Sequence, residues 1–283
     1  PIFYLFFFIF LLSSGNSRLY AEENRAFNFS TLNLNNGLSQ LSVLDICQDD
    51  KGYIWFATRN GLNKYDGTHF TIYSNRDNNS LSDNHITKLL PDNVRGGLWV
   101  GTNNGLNYLD PKTNLITNYQ LADYPELPSN SILSLCLDKS GKLWVGTRLG
   151  LCFWQPENKT FKLVTLDGQL DKESITSLYI DKQERIYIGT HDKGLLICDK
   201  NLNVTQKLTK ESTPALSDNA ISCIFEDSHQ QIWIGTDMKG LNKWNPDKQT
   251  VSAFFEHNSG RVSTLIHVRF YLNNLFQIDV IQI

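Results

Sequence analysis

Apolar and polar positions along this chain recur in a fixed order that has no helical period. Five stretches with apolar residues on both parities end in an aspartate: Val43 to Asp49, Ile86 to Asp92, Ile132 to Asp138, Ile175 to Asp181 and Ile221 to Asp227. That pattern belongs to a strand covered on both faces, so each stretch is expected to be an inner strand. A polar link of the type Asp138-Lys-Ser-Gly141 follows, with the residues of a tight hairpin turn. Units two and five keep the aspartate but lack glycine at that offset, which leaves their turn the less secured. A second strand carries a signature: Trp55-Phe-Ala-Thr58, Trp99-Val-Gly-Thr102, Trp144-Val-Gly-Thr147, Tyr187-Ile-Gly-Thr190 and Trp233-Ile-Gly-Thr236, spaced 44, 45, 43 and 46 residues apart. Shortly after each Thr comes a Gly-Leu pair, at Gly61, Gly105, Gly150, Gly194 and Gly240, in links such as Arg59-Asn60-Gly61 that tolerate positive φ. Each pair opens a third strand. A fourth, with the looser alternation of an edge, is expected over Thr68 to Tyr73, Leu115 to Tyr119 and Thr160 to Val164.

Four short antiparallel strands in about 44 residues, repeated radially, is the signature of a β-propeller, an all-β fold of four-stranded blades. The aromatic at one fixed place per blade should wedge between adjacent sheets, and the small residue beside it should let the next blade approach. Phe27 to Leu32 precedes the first full unit and would supply an outer strand to close the ring. A sixth unit should place another aromatic-x-Gly-Thr near residue 278, yet that region reads Phe276-Gln-Ile-Asp-Val-Ile-Gln-Ile283, and register is lost after about Gly260. The expected organisation is repeats over 22–260 and an atypical or truncated last blade over 261–283, five clear units in an incomplete ring.

These residues resemble the two-component regulator propeller repeat, whose consensus looks like Asn-x-Ile, then Asp-x-x-Gly, then Leu-Trp-Ile-Gly-Thr, then Gly-Leu-x-x-Tyr-Asp. Asn36-Gly-Leu-Ser39, continued through Asp49, Gly52 and Trp55 to Gly61-Leu-Asn-Lys-Tyr-Asp-Gly67, looks like the start of such a sensor ectodomain. The resemblance runs from Phe27 to Phe255. It implies an extracytoplasmic, ligand-sensing part of a membrane-bound receptor that works as a homodimer. It also implies a cytoplasmic output that is a histidine kinase, sometimes with a fused response regulator, or a diguanylate cyclase. None of those output modules is in this sequence.

Composition narrows the function classes. With 26 Lys plus Arg against 29 Asp plus Glu, a net charge of -3 and no run of five like charges, the chain has no footprint for nucleic acid or an anionic membrane surface. The apolar run Ile2 to Leu12, passing into Ser13, Ser14 and Gly15, has the length of a secretory signal core and falls short of the roughly 20 residues that span a bilayer. Residues 1–21 are therefore expected to be a signal-peptide remnant, the alternatives being the stump of a longer anchor helix or a buried strand. Export then follows, and contact with a membrane would come only through segments outside this sequence. The five cysteines, Cys47, Cys136, Cys152, Cys198 and Cys223, have neither disulfide-framework nor zinc spacing and are expected to be small hydrophobes.

Catalytic signatures are missing: there is no Gly-x-Ser-x-Gly elbow, phosphate loop, His-Glu-x-x-His or dinucleotide fingerprint, so no catalytic residue, metal ligand or cofactor is assigned. The strand order instead points to a rim. The links entering each inner strand and the Thr-x-x-Gly links should share one face of the disc, around the central channel. The residue after each Thr is polar and different in every blade, namely Arg59, Asn103, Arg148, His191 and Asp237, and the entries carry Asn84, His85, Asn130 and Asn219. Such a mixture suits a polar small molecule or an oligosaccharide; solvated turns, with the asparagines satisfying backbone groups, are the plainer account. A propeller lyase or glycosidase, or a protein-interaction scaffold, remains as an alternative. A catalytic carboxylate pair would have to draw on Asp192 and Asp237.

Overall fold

Among the described residues twenty short strands make five sheets of four, each running in chain order from an inner to an outer strand. The structure is a computed structural model that describes residues 31–76 and 80–254. The first sheet holds β1 (Val43–Gln48), β2 (Ile54–Thr58), β3 (Gly61–Tyr65) and β4 (Phe70–Tyr73). The second holds β5 (Ile86–Asp92), β6 (Gly97–Thr102), β7 (Gly105–Asp110) and β8 (Leu115–Tyr119). In the third are β9 (Ile132–Leu137), β10 (Leu143–Thr147), β11 (Gly150–Gln155) and β12 (Thr160–Val164). The fourth has β13 (Ile175–Ile180), β14 (Ile186–Thr190), β15 (Leu195–Cys198) and β16 (Val204–Leu208), and the fifth β17 (Ile221–Glu226), β18 (Ile232–Thr236), β19 (Leu241–Asn245) and β20 (Thr250–Phe254). All neighbours within a sheet are antiparallel. The inner strands of successive sheets lie side by side, as in a propeller, and among the described residues the five sheets do not close a ring. The signal-peptide reading of 1–21, the segment from Phe27 to Ser30 and the last-blade reading of 261–283 lie outside the described residues.

One carboxylate organises each blade. Asp49 Oδ1 accepts the N–H groups of Lys51 and Tyr53 at 3.0 and 2.9 Å, which shapes the β1–β2 turn, and Oδ2 accepts the Trp55 indole at 2.9 Å. Asp138 and Asp227 repeat the arrangement with Trp144 and Trp233. Asp181 receives the Tyr187 hydroxyl instead, and Asp92 reaches Trp99 across a longer link. The turn forms in the second and fifth units, and in the fourth, which also lacks the glycine, because another residue takes its conformation: Gln230 at φ 61 in the fifth sheet, Glu184 at φ 62 in the fourth, and Gly96 at φ 77 in the longer link of the second.

Two of these carboxylates, Asp138 and Asp227, couple stability to pH. Burial alone raises Asp138 and Asp227, but the hydrogen bonds from Ser140, Lys142 and Trp144, and from Trp233, Gln231 and His229, outweigh it and hold both below the ordinary carboxylate range. A folded value below the unfolded one stabilises the fold above about pH 4, and that contribution is lost as pH falls through the lowered folded value. The melting temperature should drop between about pH 5 and pH 3, and drop less in Asp138→Asn/Asp227→Asn, where neither position titrates. Equal drops in the two proteins would exclude these carboxylates as the source.

The threonine of each signature closes the next hairpin. Its hydroxyl donates to the carbonyl of Gly61, Gly105, Gly150, Gly194 or Gly240 at 2.8 to 2.9 Å. A strap before the inner strand is fastened to the same point: Ser39, Ser82 and Ser217 donate their N–H groups to the buried amides of Asn63, Asn107 and Asn242 on the third strand. In the third sheet the strap residue is Pro128, which has no N–H, and the amide position is the buried Cys152. The fourth sheet has Asp171 and Leu196 there.

Between sheets, the aromatic ring wedges as the spacing predicts. Trp55 packs with Ile86, Leu89, Leu98 and Val100 of the second sheet, and Trp99 with Ile132, Leu135, Leu143 and Val145 of the third. Trp144 meets Ile175, Leu178, Ile186 and Ile188, and Tyr187 meets Ile221, Ile224, Ile232 and Ile234. These four aromatics expose at most 4% of their surface. The glycine two residues on is needed for close approach: a Cβ on Gly101 or Gly189 would stand 2.8 or 2.7 Å from Cγ2 of Ile132 or Ile221 in the next sheet.

Every inner strand also carries a β-bulge, with Leu44, Thr87, Leu133, Thr176 and Ser222 as the extra residues. Two of them aim a hydroxyl at the neighbouring sheet: Thr87 donates to the Ile132 carbonyl at 2.7 Å and Thr176 to that of Ile221. Between the third and fourth sheets Ser134 does the same to Ile175 at 2.9 Å, and between the first and second Asp45 accepts the Leu89 N–H at 2.8 Å. At the two ends of the array the packing is incomplete among the described residues, with Val43, Ile46 and Ile54 of the first sheet and Trp233 of the fifth only half-buried.

Candidate functional site

Backbone hydrogen bonds place the predicted rim. Asn103, Arg148, His191 and Asp237 each donate their N–H to the residue leading into the inner strand of the same sheet, His85, Ser131, Ser174 and Ala220, at 3.0 to 3.2 Å. Gly61, Gly105 and Gly194 donate across to the carbonyls of Asn84, Asn130 and Asn219 at the entry of the following sheet. Between the third and fourth sheets the Ser174 hydroxyl reaches the Arg148 carbonyl at 3.0 Å. The entry links and the Thr-x-x-Gly links therefore share one end of the array.

The nine rim residues then divide by what their side chains do. Asn84 accepts the N–H of Asn75 at 2.8 Å, Asn130 that of Leu121 at 2.6 Å and Asn219 that of Lys210 at 2.9 Å. Each amide thus holds the link that arrives from the preceding outer strand. Asn130 also donates to Asn104, and Asn219 to Glu211. Arg59, Asn103, Arg148 and Asp237 are exposed, and no hydrogen bond or ion pair holds their side chains among the described residues. His191 pairs with Asp192 at 2.8 Å, and His85 is half-buried. Glu173 stands at the offset of the three asparagines in the fourth sheet, buried, with the Lys193 ammonium at 3.3 Å. Its offset is the signal that would have found it.

Inside the rim lies a channel cavity of about 380 Å³, lined by the inner strands of all five sheets. It holds one ion pair, Lys88 Nζ to Asp45 Oδ2 at 3.1 Å. The thiols Cys47, Cys136 and Cys223 are on its wall. Burial pushes Cys47 and Cys223 up, and Cys198, away from the channel, to about 12, so these three are not thiolates at neutral pH. Among the described residues no three His, Cys, Asp or Glu side chains cluster as metal ligands, and no helix is long and apolar enough to cross a membrane.

Comparison with known proteins follows the same units. The sequence profile of the two component regulator propeller matches residues 37–60, 126–148 and 215–238, each running from strap to signature in sheets one, three and five. A 60-residue stretch is 48% identical to histidine kinase P4 of Formosa agariphila, covering 21% of this chain and 4% of that protein. The crystal structure of an extracellular domain described as part of a hybrid two component system of B. thetaiotaomicron superposes on 79% of this chain, with TM-score 0.70 and 28% identity. A second extracellular domain from that organism, described as part of a one component system, covers 81% at TM-score 0.54 and 21% identity and supports the fold alone. This chain spans 31% and 36% of those two chains, about a third of their length.

Proposed function

We propose, from the premise that these blades are two component regulator propeller repeats, that the chain is the ligand-sensing propeller of a membrane-anchored signalling receptor. The observation that carries the reading is the 28% identity, over 79% of the chain, to an extracellular domain of a two component system. In this reading the segment is exported and faces the periplasm. The exposed set Arg59, Asn103, Arg148, His191 and Asp237 receives a polar ligand such as an oligosaccharide, and no bond is made or broken in it. The scaffold suits that division of labour, because the hairpin threonines and entry asparagines fix the rim backbone while the side chains of Arg59, Asn103, Arg148 and Asp237 make no hydrogen bond or ion pair among the described residues and His191 pairs only with its exposed neighbour Asp192. The parent protein dimerises, sits in the inner membrane and carries a histidine kinase or diguanylate cyclase.

Two experiments test this. Sequencing the parent gene in both directions should reveal further repeats, a membrane-spanning helix and a kinase or cyclase in frame; a confirmed stop codon with no membrane helix on either side contradicts the receptor reading. An oligosaccharide array probed with the 283-residue chain should give binding that Arg59→Ala/Asn103→Ala/Arg148→Ala abolishes without lowering the melting temperature. Binding unaffected by the triple variant would remove these side chains from the site.

A further inference from the structure

We infer that the channel itself is a second, deeper binding position, built by Asp45 and Lys88 for a pair of hydroxyls on neighbouring carbons, as in a monosaccharide. The inference concerns where the ligand is gripped, and its biology rests on the sensing reading above. Asp45 is 7% exposed, and its two oxygens are used unequally. Oδ2 accepts the Leu89 N–H at 2.8 Å and lies 3.1 Å from the Lys88 ammonium in an ion pair, whereas Oδ1 has no hydrogen-bond partner among the described residues. A carboxylate oxygen held in place on one side and unoccupied on the other is a ready acceptor for a hydroxyl.

Lys88 supplies the complementary donor. Its ammonium has three N–H groups, none of them in a hydrogen bond among the described residues, and the side chain keeps 35% of its surface exposed. It also lines the channel, where its charge works against the rise that burial imposes on the Cys223 thiol of the fifth sheet. The carboxylate and ammonium are the only charged groups lining the cavity among the described residues. The two oxygens of a vicinal diol lie about a hydrogen bond apart, like Nζ and Oδ2 here, so one hydroxyl can donate to Asp45 Oδ1 while the other accepts from Lys88.

The surroundings fit such a guest. The cavity of about 380 Å³ lies in the range of roughly 300–1,000 Å³ found for small-ligand sites. Its walls are strands hydrogen-bonded on one side only, so backbone N–H and C=O groups face the cavity in alternation. Ser177 and Ser222 add hydroxyls, and Ile46 adds an apolar face. At the corresponding place in their own inner strands the third, fourth and fifth sheets carry Ser134, Ser177 and Cys223, so the charged pair is confined to the wall between the first two sheets.

The test is ligand-observed NMR and calorimetry on the 283-residue chain, with D-glucose and D-xylose as diol probes and 1,4-butanediol as a control without adjacent hydroxyls. Both sugars should bind and the control should not. Asp45→Asn, which keeps an acceptor for Leu89 N–H but loses the charge, should weaken the sugars by roughly tenfold or more, and a melting curve on the same variant shows that it remains folded. Asp45→Asn/Lys88→Gln, which removes the ion pair without leaving an unpaired charge, should do the same. Sugar binding that survives both variants but is lost on Arg59→Ala/Asn103→Ala/Arg148→Ala would place the ligand at the rim alone, overturning this inference and leaving the sensing proposal standing. No binding of either sugar, or equal binding of the control, would also overturn it.

Discussion

Replacing Trp144 by alanine should cost about 3–5 kcal/mol, a large part of the stability of a domain of this kind. Its ring exposes 4% of its surface, stands 5.2 Å from the Phe153 ring and fills the space against Ile175, Leu178, Ile186 and Ile188 of the next sheet. The substitution therefore opens a cavity at a sheet-to-sheet contact that cannot collapse without moving the whole fourth sheet. It also leaves Asp138 Oδ2 without its indole donor. Trp233→Ala should cost clearly less, since that ring is only half-buried. Urea unfolding of the two variants gives the comparison, and equal losses would contradict the wedge account.

The second large effect is expected from adding one methyl. In Gly101→Ala the new Cβ would meet Cγ2 of Ile132 at 2.8 Å, Cβ of Ile132 at 3.1 Å and the Thr87 hydroxyl at 3.3 Å. Overpacking of this kind costs about 1–3 kcal/mol. Ala57, buried at the same place in the first sheet, shows that an interface can be built around the methyl when its neighbour is Ile86 in that setting. The loss should thus be a finite strain with the fold retained: a lowered urea midpoint with an unchanged slope. A midpoint within error of the parent would mean that the sheets are not packed tightly at Gly101.

What could be seen in the sequence was what is local. The Trp-x-Gly-Thr signature and the Gly-Leu pair lie within one hairpin, so side-chain size and turn chemistry announce them directly, and their spacing then dictates the blade. The rim followed from topology, since strands that alternate in direction must return the Thr-x-x-Gly links to the end where the inner strands begin. The features that stayed hidden depend on distant partners. The bulges at Leu44, Thr87, Leu133, Thr176 and Ser222 leave no mark in stretches already apolar on both parities. Ser39 and Asn63 are 24 residues apart, and only the fold reveals that a strap N–H and a third-strand amide need each other. The same holds for Asn84, whose amide holds a backbone group nine residues earlier, and for Asp45 and Lys88, drawn together from two separate sheets.

Each sheet is held to the next by one repeated contact, an inner-strand isoleucine seated on the small residue two positions after the aromatic of the preceding sheet, Gly101, Gly146 and Gly189 or, in the first sheet, Ala57. A double-mutant cycle on Gly101→Ala and Ile132→Ala measures it, with Ile221→Ala, which seats on Gly189, as the distant control. Ile132→Ala removes the Cγ2 that the new methyl would strike. The pair should therefore be less destabilised than the sum of its parts by about 1 kcal/mol or more, while Gly101→Ala and Ile221→Ala add to within about 0.5 kcal/mol. Additivity in both cycles would contradict the claim.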